Sequence, residues 1–146
     1  MDIKLQNMKL KQIIKRLTMT KDPKLQKEVV LGAWEHCDHF FTGLQMSCDE
    51  TVVVKLSKIA EIQDDDDGFD GGFTFDEFTK IYDEATQVNY DEQRTKELIN
   101  EAIAKVDIYE WNNFYRKILL KKFHEDMPMD VIIETLQELT GYQNPL

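Results

Sequence analysis

At 146 residues, with 42% hydrophobic and 32% charged side chains, the chain has the length and balance of one globular domain with a sizeable core of its own. A net charge of −10 argues against indiscriminate attraction to phosphate, and no apolar run approaches the ~18 residues of a bilayer span. Two cysteines, Cys37 and Cys48, form no disulfide framework, and Met1-Asp2-Ile3-Lys4 lacks the apolar stretch of a secretory signal, so a cytoplasmic address is expected.

Helical signals recur along the chain. Leu10, Ile13, Ile14 and Leu17 form an apolar stripe at helical spacing within a lysine-rich segment. Asp22-Pro23 reads as an N-cap followed by proline at the first helical position, and the helix it opens is expected to bury Leu25, Val29, Ala33, Cys37 and Phe40 along one side. Thr51 to Val54 is β-branched, but Leu56, Ile59 and Ile62 suit a helix, and the segment is assigned as helix. An acidic, glycine-rich break follows at 64–73. Thr74 and Glu77 then form a capping box before the stripe Phe75, Phe78, Ile81, Tyr82 and Ala85. Asp91 and Asp107 cap the next two helices, and Pro128 opens a last one that Gly141 closes. The expected fold is all-α, a single domain over residues 1–146 with six or seven helices and the acidic loop in its middle.

Charge is unevenly distributed. Residues 1–33 carry eight Lys/Arg against three acids, 34–104 five against eighteen, and 105–146 five against seven, giving +5, −13 and −2. In the last stretch Arg116, Lys117, Lys121 and Lys122 cluster on one predicted helix, with Lys117 and Lys121 four apart and therefore on one face. Such a helix can set cations along a nucleic-acid backbone while Ile118 and Leu119 anchor it. The lysines of the first helices invite the same reading, and a solvated helix face is the competing one.

Two metal readings arise. Taking Asp66 as position 1 of a calcium loop places Asp70 at 5, Gly71 at the bend and Glu77 at the bidentate position 12. Gly68 then supplies no oxygen at position 3, no second loop pairs with it, and Glu77 already serves the capping box. His36, Cys37, His39 and Cys48 offer zinc-type donors at a spacing that matches no finger or ribbon. The reading of the residues therefore expects no bound cofactor, with Ca²⁺ as the alternative. No phosphate-binding glycine loop, nucleophile elbow or His-Glu-x-x-His occurs, so no catalytic residue is assigned.

Several segments together resemble the N-terminal DNA-binding domain of ATP-dependent DNA ligases, particularly the phage type. They are Lys24-Leu25-Gln26-Lys27-Glu28-Val29-Val30, Asp38-His39-Phe40-Phe41, Phe75 to Asp83, and Leu98 to Ile103. The most specific are Phe114 to Phe123 and then Met127-Pro128-Met129-Asp130-Val131-Ile132. The similarity spans roughly residues 10–140. It implies an all-α clamp that holds double-stranded DNA through backbone contacts from Arg116, Lys117, Lys121 and Lys122, in DNA replication or repair. A phage-encoded version would work in the host cytoplasm. The chain departs from the family in two places. The closing turn, usually glycine-containing, is His124-Glu125-Asp126, and the Lys-x-Asp-Gly nucleophile motif is absent, so the chain is either a fragment of a longer ligase or a non-catalytic relative. The rival expectation is an acidic module that binds a basic protein, of phage or host, and competes with DNA for it. A single EF-hand-like calcium protein is the third.

Overall fold

The computed structural model describes residues 9–56, 58–63 and 72–146. Among these the fold is all-α, with seven helices around one core. In chain order they are α1 (Leu10–Met19), α2 (Pro23–His36), α3 (Asp38–Cys48), α4 (Phe75–Thr86) and α5 (Glu92–Ile103). The sixth, α6, joins an α turn (Ile108–Glu110), a π turn (Trp111–Tyr115) and a second α turn (Arg116–Leu119); α7 is Met129–Thr140. Among the described residues none of these helices is long and apolar enough to cross a membrane.

Local signals set most of the boundaries. Asp22 accepts from the Lys24 amide at 3.0 Å, Asp91 from Arg94 at 3.1 Å and Asp107 from Glu110 at 3.0 Å, each satisfying an amide that the first helical turn leaves over. Thr74 does the same for Glu77 at 3.2 Å. Gly141 closes α7 in the left-handed conformation at φ 75°, where its amide donates to Gln137. The α1 stripe of Leu10, Ile13, Ile14 and Leu17 is buried throughout.

Two expectations fail. The apolar stripe from Leu25 to Phe40 does not lie on one helix. Cys37, at φ −148° and ψ 74°, ends α2 and starts α3, and Leu25 is exposed. Among its described residues the segment 51–62 is not a helix either. Its described residues run without helical bonds as an extended strap that packs Ile59, Val52, Val54, Leu56 and Ile62 on the core.

The core centres on α6. The π turn, marked by the Arg116 amide bonding the Trp111 carbonyl five residues back, inserts one extra residue and brings Trp111, Phe114 and Tyr115 inward together with Ile118 and Leu119. Phe114 meets Phe123 edge-on with ring centroids 4.9 Å apart, and Tyr115 meets Phe78 at 4.8 Å. α3 approaches α6 at Gly43, where a Cβ would stand 2.6 Å from Phe114 and 2.8 Å from Ile118. Only glycine permits that contact.

Candidate nucleic-acid interface

The strap is clasped by side chains of α6 rather than by a partner strand. Asn112 accepts from the Ile62 amide at 2.8 Å and donates to the Ile62 carbonyl at 3.2 Å, pairing that backbone as a neighbouring strand would. The Trp111 indole donates to the Ala60 carbonyl at 3.1 Å, and Arg116 Nε to the Ile59 carbonyl at 2.9 Å. These bonds satisfy backbone groups of an irregular segment that packs its apolar side chains on the core.

The four cations at the end of α6 have different surroundings. Arg116 is half-buried, with Nε on the strap and Nη1 3.5 Å from Glu61. Lys117 lies along the rim of α6, 3.3 Å from Asp126. Lys122 is exposed. Lys121 points inward: its ammonium donates to the carbonyls of Met46 (2.6 Å) and Asp49 (3.0 Å) and to the Tyr82 hydroxyl (2.6 Å). It thereby caps the C-terminal end of α3 from the turn that closes α6, a place where a cation is favoured. Burial pushes its pKa below the ordinary lysine value, and Asp49 and Cys48 oppose that shift.

Lys121 is also a backbone special, at φ 59°. The Lys121 amide bonds the Ile118 carbonyl and the Lys122 amide the Lys117 carbonyl, both at 2.9 Å, the two bonds of a Schellman close. A lysine occupies the position that glycine usually takes, and its side-chain bonds hold it there. The chain then enters a 3₁₀ turn, Phe123–Asp126, pinned to α3 through Ser47. The Ser47 hydroxyl accepts from the His124 amide at 3.2 Å and lies 2.8 Å from His124 Nδ1.

The basic first helix packs beside α6. Lys15 Nζ stands 4.8 Å and Lys11 Nζ 5.8 Å from the ring centre of Tyr109, and Lys11 reaches Asp107 at 3.3 Å. Between the two helices lies an open groove of about 400 Å³, lined by Ile14, Thr18, Tyr109, Asn113, Lys117 and Asp126 among others. Two basic stretches about a hundred residues apart in sequence thus share one surface. Tyr109 and Asn113, which join them, carry no sequence signal beyond helical position.

Of the calcium-loop residues, Asp66 and Asp70, like most of the acidic segment 64–73, lie outside the described residues. Glu77 is described. It meets Thr74 and forms an ion pair with Lys105, whose hydrogen bond holds the carboxyl below the usual glutamate range. The zinc-type donors separate. Cys37 Sγ lies 3.4 Å from His39 Nε2, His36 faces Glu35, and Cys48 lies near Lys121. Burial raises the Cys37 thiol to about 11 and lowers His39, so both are neutral at pH 7. Among the described residues no three His, Cys, Asp or Glu side chains are grouped to share a metal ion.

No protein-family model matches the chain, and no curated protein is similar to it at a significant level. Solved structures are. The fold is shared with part of two larger chains. These are named Pmar-Lig_PreS3 and Pmar-Lig_Pre; each superposes with a TM-score of 0.73 at 22% identity over 92% of this chain. The chain spans 31% of the length of either. At that identity the likeness establishes the fold alone.

Proposed function

We propose that the chain is a duplex-DNA-binding helical domain of a ligase-like protein, gripping the phosphate backbone without chemistry of its own. The likeness over nearly the whole chain to structures whose names carry "Lig", read as ligase, is the observation that carries this reading. The shared surface of α1 and α6 supports it independently: Lys117 lines the groove between them, and Lys15 of α1 stands over Tyr109 of the same groove. Lys121 acts as a positioning residue that fixes the turn behind Lys122. Contacts of this kind carry little base information and give weakly sequence-specific binding.

Fluorescence anisotropy with a nicked duplex tests it. At roughly 50 mM salt binding is measurable, and its logarithm falls linearly with log salt at about −0.9 per phosphate contact. Reversing Lys117 and Lys122 to glutamate weakens binding by about tenfold or more and flattens that slope. Absence of binding by the natural chain at low salt, or equal binding by the reversed variant, sinks the reading. Lys121 is left intact in this experiment because its loss would disturb the fold.

The acidic-module reading has its own support in the α4–α5 hairpin, where Asp76, Asp83, Asp91, Glu92, Glu97 and Glu101 are all exposed. A basic protein partner would meet that face. Competition between such a partner and nicked duplex separates one shared site from two.

A further inference from the structure

Arg116 and Lys117 are consecutive, yet each is met by a carboxylate from a different part of the chain. Glu61 comes from the strap and lies 3.5 Å from Arg116 Nη1; Asp126 comes from the turn after α6 and lies 3.3 Å from Lys117 Nζ. In both pairs the acid is the more exposed partner, at 51% against 18% for Arg116 and 43% against 27% for Lys117. The cations are held by their stems, and Arg116 also by its Nε bond to Ile59. The acids sit outermost, and Asp126 lines the groove itself. Asp107, the acid that meets Lys11, differs: it is buried and committed to capping the Glu110 amide, so it cannot be exchanged without opening α6.

We propose that Glu61 and Asp126 are internal counter-ions that keep Arg116 and Lys117 in register until the phosphodiester oxygens of a bound strand displace them. The proposal rests on the DNA-binding reading above. Half-exposed ion pairs are weak enough to exchange, and the released carboxylates need only turn further into water. Each released acid takes up a solution cation, which offsets part of the counter-ion release from DNA. The two acids therefore hold affinity down and make it less sensitive to salt than the number of cations alone would give.

The experiment compares the natural chain with Glu61→Gln, Asp126→Asn and the double variant on nicked duplex across a salt series. Each amide replacement keeps the shape and removes one charge. Each is expected to tighten binding about threefold to tenfold at low salt and to steepen the log–log slope by up to about one. Glu138→Gln is the control, since its acid pairs with Lys27 between α2 and α7 and removes the same net charge elsewhere. Equal gains from Glu138→Gln and from each single variant, or an unchanged slope, overturn the proposal while leaving the DNA-binding reading intact. Failure of every form to bind removes both. In the natural chain, the carboxylate ¹³C resonances of Glu61 and Asp126 are expected to shift on DNA addition while that of Glu138 stays; stationary resonances overturn the proposal without any substitution.

Discussion

The α4–α5 hairpin and the clasp of α6 on its strap are stabilised in opposite ways. In the hairpin, Thr74 and Asp91 cap amides three residues on, and the buried stripe of Phe78, Ile81, Tyr82 and Ala85 repeats at helical spacing. In the clasp, Asn112, Trp111 and Arg116 reach backbone carbonyls or amides 50 to 57 residues away. Locally specified helices lose their terms one at a time. A clasp built from side chains of one helix fails together, and it fails where the candidate DNA-binding cations are positioned.

The largest expected effect is at Trp111. Its side chain is fully buried, and its indole bonds the strap at Ala60. Trp111→Ala should cost about 3–5 kcal/mol in urea unfolding, because the cavity and an unpaired carbonyl add to the lost burial. Amide exchange at Ile62 should lose its protection in this variant while exchange within α4 keeps the order of the remaining global stability. Uniform loss in both regions would mean that the strap is not a separate unit.

Lys121 sharpens the contrast further, since it joins α6 to α3 and to Tyr82 of the hairpin. Lys121→Met should cost about 2–3 kcal/mol, having left two carbonyls and a hydroxyl short of a charged donor. Lys121→Gly loses the same bonds but relieves the left-handed backbone, and should be less destabilised by about 1 kcal/mol. Unfolding curves for the two variants measure the backbone contribution directly. A glycine variant as unstable as the methionine one would place no cost on φ 59°.

The same division decides what could be read from the residues. Asp22-Pro23, Thr74, Asp91, Asp107 and Gly141 each act within a few positions, so the helix starts, one stop and the all-α class were legible. The break at Cys37 was not, because no glycine or proline marks it and the apolar spacing continues across it. The strap reads as helix in the sequence because Leu56, Ile59 and Ile62 recur at intervals of three, while the groups that pair its backbone sit on α6. At the candidate site, charge was visible and distance was not. The basic stretches at 4–27 and 116–122 were both evident, but Tyr109 and the groove between them come from packing. In the sequence Lys121 groups with its basic neighbours, because nothing local announces that its ammonium caps α3.

The smallest effect is a cap. Thr74 Oγ1 accepts from the Glu77 amide at 3.2 Å and lies 3.4 Å from Glu77 Oε1, while Glu77 pairs with Lys105 just beyond α5. Thr74→Ala should cost about 1 kcal/mol, the ordinary value of a lost N-cap. The Glu77 carboxyl is held below its ordinary value of 4.5, first by the Lys105 hydrogen bond. A depressed folded pKa stabilises the fold above the unfolded value and loses that contribution as pH falls through the folded one. Glu77→Gln should therefore unfold more easily than the natural chain at neutral pH and converge with it in acid. In both variants exchange at Ile62 should fall no further than the global loss, because the cap and the clasp share no bond. A selective loss of protection at Ile62 would show instead that the hairpin and the strap are coupled, through the Lys55 amide on the Ala85 carbonyl at 2.8 Å or through Phe78 and Tyr115, whose rings meet at 4.8 Å.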